Sequence, residues 1–183
     1  MEALVVSAGL REFFTATIRE SLDDLGLPAG PAAHYLVELL VRFASADELR
    51  PRTSCGAHLE TYADHVLAIE RAWHVEGPRF DPSDEIRLRR HFADCALFMT
   101  GFFWDRMRSR SVTRHFVDQG RRAYRFLAEY SRARARRESA VYEALSGGFE
   151  TYAGVLTYMR EVYLGADFAP GMRQLFVRLV SGF

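Results

Sequence analysis

A chain of 183 residues, 49% hydrophobic and 26% charged, has the balance of an ordinary globular protein and the length for a single domain over 1–183, whose core hides about 70% of the unfolded surface. Its 24 basic residues, every one an arginine, are matched by 24 acids, which excludes a general electrostatic pull toward nucleic acid and leaves only local charge to consider. The start, Met1 to Val6, carries an acid and no basic group, and no apolar run reaches the roughly 18 residues of a membrane span, so a cytoplasmic protein that does not cross a membrane is expected.

Apolar spacing and capping residues predict helices throughout. Ser7 is placed to cap a first helix carrying Leu10, Phe13, Phe14, Ile18 and Leu22, and Gly26 and Pro28 end it. Pro31 opens a second helix, to about Ala46, that is apolar on most of its circumference and has one polar strip of His34, Glu38 and Arg42. Thr53 or Ser54 begins a third, to about Trp73, closed by Gly77 and Pro78.

The clearest start in the chain is Asp81-Pro82-Ser83-Asp84-Glu85, with a cap, a proline at the first helical position and acids facing the positive helix end. Its helix turns apolar all round from Ala96 to Phe103 and is therefore predicted to be buried. A helix from about Thr113 to Ser131 puts Phe116, Gly120, Ala123, Tyr124, Leu127 and Tyr130 on one face. Another, from about Arg134 to Leu164, carries Tyr142, Leu145, Phe149, Tyr152, Leu156, Met159 and Tyr163 in heptad-like steps, with a kink expected at Gly147-Gly148. A last helix runs from Pro170 to about Val180. With no alternating strand pattern, the expected fold is all-α, a compact bundle of six to seven helices.

Two stretches carry a resemblance. Ala93-Asp94-Cys95-Ala96-Leu97-Phe98-Met99-Thr100-Gly101-Phe102-Phe103 and Asp118-Gln119-Gly120-Arg121-Arg122-Ala123-Tyr124-Arg125-Phe126-Leu127 resemble a family of uncharacterised bacterial helical proteins. That family carries a Gly-Asp-x-x-Leu-Phe-x-x-Gly-Phe-Phe segment and then Asp-x-Gly-x-x-Ala-Tyr-x-x-Leu, and this chain departs from it at Ala93. The resemblance implies a helical fold and no particular chemistry.

Charge is locally uneven. Between Arg106 and Arg137 eleven arginines face two acids, Asp118 and Glu129, a surplus of +9 that leaves −9 in the rest of a chain of zero formal charge. At about 100 degrees per residue, Arg114, Arg121, Arg125 and Arg132 fall within roughly 20 degrees of a common line, opposite the apolar face of their helix. Such a stripe is a solvated surface, a contact for an acidic protein partner, or a phosphate contact. The recognisable modules of nucleic-acid readers are missing.

Three other constellations bear on chemistry. His58 and His65 share a helix face, and His34 with Glu38 forms an i, i+4 pair, so these four are candidate zinc or iron ligands if their helices converge. The paired Glu-x-x-His motifs of di-iron bundles are absent. His91, Asp94 and Cys95 lie within one turn, where a thiol beside a histidine is a candidate nucleophile, although Arg90 four residues before Asp94 points to a plain helix ion pair. Cys55 and Cys95 lack any Cys-x-x-Cys spacing and read as free thiols.

Abundant aromatics, among them Phe98, Phe102, Phe103, Trp104, Tyr124, Tyr142, Phe149, Tyr152, Tyr158 and Tyr163, would form either core or a pocket for a flat ligand such as heme, and no cofactor is specified. Phosphate-loop, dinucleotide and serine-elbow motifs are absent. The expected function is a non-catalytic helical module that binds an acidic protein partner through Arg114, Arg121, Arg125 and Arg132. The alternative is a metal-, heme- or small-molecule-dependent enzyme with an interior site at His34, Glu38, His58 and His65. Self-association through the stripe from Tyr142 to Tyr163 is also open.

Overall fold

The computed structural model describes residues 2–44, 82–103 and 110–164. Secondary structure among them is helical throughout: α1 Glu2–Asp24, α2 Ala32–Phe43, α3 Pro82–Phe103, α4 Arg110–Ala133, α5 Glu138–Gly147 and α6 Phe149–Val162. The first helix extends back through Ser7 to Glu2, because Glu2, Ala3 and Leu4 are good helix formers that continue the same turn. The helices predicted over Thr53–Trp73 and Pro170–Val180, and with them Cys55, His58 and His65, lie outside the described residues.

Where chain reversals occur, backbone hydrogen bonds show why. After α1 the Leu27 amide donates to the Leu22 carbonyl at 2.8 Å and the Gly26 amide to Asp23 at 3.0 Å, while Gly26 sits at φ +64°. This is the Schellman closure that glycine favours, and Leu27 packs on the core as the motif's apolar contact. The same pair of bonds ends α4, from Arg136 to Ser131 at 2.9 Å and from Ala135 to Arg132 at 3.0 Å, but here the left-handed position is held by Ala135 at φ +51°. The predicted kink is a full break: Gly148, at φ −104° and ψ 25°, separates α5 from α6.

Packing pairs α1 with α2 and α6, α3 with α4 and α6, and α4 with α5, while α2 also meets α5. Two glycines permit the closest approaches. A Cβ on Gly101 would stand 2.6 Å from Leu156 Cβ, and one on Gly120 would stand 2.6 Å from Phe149 Cε2 and 3.0 Å from Ala96 Cβ. Glycine inside a helix costs about 1 kcal/mol against alanine, and here the cost is offset by helix axes that approach closely. Both residues belong to the two stretches of the family resemblance, and in the fold those stretches pack against the same helix, α6.

Among the described aromatics Phe98, Phe102, Tyr124, Tyr142 and Phe149 are core, and Tyr152, Tyr158 and Tyr163 are half-buried. Phe43 meets Phe98 edge-on at 5.1 Å, Phe98 stacks on Phe102 at 4.6 Å, and Tyr124 lies 6.2 Å from both Tyr142 and Phe149. The heptad-like stripe over α5 and α6 likewise turns inward, with Tyr142, Leu145, Phe149, Leu156 and Met159 buried in the chain's own interior. Tyr158 and Tyr163 donate to Asp24 Oδ2 at 3.1 and 2.6 Å, which ties the end of α6 to the end of α1. Arg160 donates to the Phe102 carbonyl at 2.6 Å, placing a cation at the negative end of α3. Among the described residues no helix is long and apolar enough to cross a membrane.

Candidate functional site

The sequence sets one acid into the apolar half of α3. Around Asp94 the neighbours Phe92, Ala93, Ala96, Leu97 and Phe98 are all buried, and Asp94 itself has no exposed surface. A carboxylate so placed is tenable only if donors replace water. Three do so: Tyr35 of α2 and Tyr124 of α4 donate to Oδ1 at 2.6 and 2.7 Å, and Arg42 of α2 donates to Oδ2 at 2.8 Å. Tyr142 of α5 closes the cluster with its ring 5.8 Å from Tyr35. One carboxylate thus gathers α2, α3 and α4 at a single point.

Electrostatics follow from this enclosure. Burial first, and then the Asp94 charge, push the Tyr35 and Tyr124 hydroxyls far above the ordinary tyrosine range, so both remain donors at any pH the fold survives. Burial and then Asp94 also push the Cys95 thiol well up. His91 Nε2 does lie 3.1 Å from Cys95 Sγ, yet a thiol held protonated is not an activated nucleophile. The expected Arg90 to Asp94 pair is present but long, at 3.9 Å from Nε to Oδ2, because Arg42 already holds that oxygen. With both oxygens engaged and sealed from water, Asp94 acts as an anchor for the fold and has no free lone pair aimed at a substrate.

Next to this anchor opens a cleft of about 320 Å³, lined by Ser83, Arg87 and Arg90 of α3, Ser131 at the end of α4, Arg136 in the turn that follows, and Tyr142. Glu138 is the acid on its wall. Arg90 joins the cleft to the anchor. Its guanidinium lies 5.7 Å from the Tyr35 ring and its side chain is 42% exposed, while its Nε is buried without a hydrogen-bond partner.

The arginine stripe of α4 is divided by its neighbours. Arg114 and Arg125 are exposed. Arg121 is half-buried and donates to the Ser146 carbonyl at 3.3 Å, and Arg132 pairs with Glu143 of α5. The buried face of α4 is made by Val117, Gly120, Ala123, Tyr124, Leu127, Ala128 and Ser131, so the stripe lies on the flank of the buried face rather than opposite it. From Arg114 to Arg137 seven of eight arginines expose their side chains, in company with Asp118 and Glu129.

Of the four candidate metal ligands, two are described. Arg11 donates to both oxygens of Glu38, at 2.8 and 2.9 Å, and these bonds hold the Glu38 carboxyl below the ordinary glutamate range. His34 is exposed. His58 and His65 lie outside the described residues, and no cluster of three or more metal-ligating side chains occurs among the described ones.

Sequence reasoning missed Tyr35, Arg42 and Tyr142 as members of one cluster. The signal within reach was Asp94 itself, a lone acid in an otherwise apolar helical run. A comparison of the chain with protein-family models, with curated proteins and with solved structures finds no match.

Proposed function

We propose that the chain is a non-catalytic helical module that binds an acidic protein partner through the arginine-bearing flank of α4 and the turn that follows it. The observation that supports this most is the seven exposed arginines between Arg114 and Arg137, with Arg132 the one among them paired to a carboxylate. Arginine offers a fixed fork of donors that suits carboxylates, and a surface with a surplus of positive charge steers an acidic partner toward it. Asp118 and Glu129 within the same flank would repel a continuous phosphate backbone, which favours a protein over a nucleic acid.

Affinity capture with the wild-type chain, with Arg114→Glu plus Arg125→Glu, and with Arg19→Glu on the exposed side of α1 tests this. The expected result is an acidic protein held stoichiometrically by the wild type and by Arg19→Glu, and lost from the double variant. Retention of the same protein by all three would remove the flank from consideration. The second reading, a metal- or heme-dependent site at His34, Glu38, His58 and His65, has less support because a metal would have to displace Arg11 from Glu38. Elemental analysis after reconstitution with iron, zinc or heme decides it.

A further inference from the structure

We propose that the cleft between the start of α3 and the α4–α5 turn binds a small organic anion, a carboxylate or phosphate on an apolar body, with Arg90 as the residue that fixes the charged group. Leaving Arg87 aside, two arginines, Arg90 and Arg136, line the cleft against one carboxylate, Glu138. Glu138 sits in the first turn of α5, where the helix end already favours a negative charge.

The balance at Arg90 is the reason to expect a ligand. Its nearest anion is Asp94 Oδ2 at 3.9 Å, beyond hydrogen-bond reach and already bound by Arg42 at 2.8 Å. Arg90 is thus a partly exposed cation with a buried, unpartnered Nε, beside a carboxylate whose nearer oxygen is already held by Arg42. An oxyanion in the cleft would give the outer part of its guanidinium the fork-matched partner that Asp94 does not. Ser131 adds a hydroxyl for a second oxygen, and the first turn of α3 adds the positive end of a long helix.

The remaining wall sets the rest of the ligand. Ile86, Leu127, Tyr130 and Tyr142 line the same space, an apolar and aromatic surface that bare inorganic phosphate would leave wet. A volume of about 320 Å³ suits a molecule the size of a substituted benzoate or a small phosphate ester. Tyr142 also packs on Tyr35 and Tyr124, so the cluster around Asp94 holds one aromatic wall in position before any ligand arrives, which lowers the ordering cost of binding.

The cleft meets the proposed partner surface only at Arg136; Arg90 lies outside that surface, and Arg114 and Arg125 lie outside the cleft, so the two proposals fail separately. Calorimetric titration of the full chain with benzoate, phenyl phosphate, inorganic phosphate and neutral benzamide tests it. Benzoate or phenyl phosphate is expected to bind one per chain and saturably, ahead of both inorganic phosphate and benzamide. Arg90→Gln is expected to weaken the binding about tenfold or more. Arg136→Gln, at an exposed turn position, does the same in smaller measure without touching the core, and Arg125→Gln leaves binding unchanged. Absence of saturable binding by either organic anion at ~10 mM, benzamide binding as well as benzoate, or an affinity indifferent to both Arg90→Gln and Arg136→Gln would each overturn the proposal.

Discussion

Asp94 shows how much one residue can organise. Its carboxylate takes two tyrosine hydroxyls and one guanidinium from partners 59, 30 and 52 residues away, and each bond is made where water cannot substitute. Tyr124→Phe is expected to destabilise the fold by about 2 kcal/mol, the usual scale for a buried hydrogen bond to a charge. Asp94→Asn is expected to cost about 3 kcal/mol, because Arg42 is left without its counter-charge. Tyr35→Phe and Tyr124→Phe share the same oxygen, so the double variant will depart from the sum of the singles. Denaturant midpoints check all of these. The tyrosines also set an alkaline limit. Their folded pKa values lie above the ordinary 10.0, so the folded state holds protons that the unfolded state releases. Stability is therefore complete below about pH 10 and falls as pH rises above it. Tyrosinate absorbance followed against circular dichroism should show these two phenols ionising only as the helices melt.

At the scale of the element, the helix ends and crossings carry the specific information. Gly26 and Ala135 occupy equivalent left-handed positions in equivalent closures, and only one of them is glycine. Ala135→Gly is accordingly expected to raise stability by about 1 kcal/mol and Gly26→Ala to lower it by a similar amount; thermal midpoints moving in the same direction would disprove the backbone argument. Gly120→Ala pushes a methyl into the buried Phe149 ring and is expected to cost about 1–3 kcal/mol. The sequence made most of these elements legible. Gly26 with Pro28, Pro31, and Asp81-Pro82 mark helix ends through local backbone chemistry, which acts over a few residues. What escaped it was non-local. The break at Gly148 looked like a kink because the heptad-like stripe continues across it, and Ala135 gave no sign that it closes a helix. Asp94 stood out as a lone acid in an apolar run, but its partners did not, because no local pattern shows that Tyr35 and Arg42 of α2 meet α3.

For the whole molecule the distribution of charge is the main functional lead. The surplus of positive charge from Arg106 to Arg137 was readable directly, and helical spacing placed four of its arginines along one line. The division within that line was not readable, since Arg121 and Arg132 are drawn to α5 by Ser146 and Glu143, contacts that exist only once the α4–α5 turn has closed. Arg114 and Arg125 are therefore the residues on which partner binding should depend most, and Arg121→Gln should weaken it less. The most direct test is the affinity of the captured acidic partner for the chain, measured at rising salt for the wild type and for Arg114→Glu plus Arg125→Glu. The proposed function predicts a wild-type affinity that falls steadily with salt and a double variant that binds weakly at every concentration. An affinity indifferent to salt, or equal in the two proteins, would contradict it.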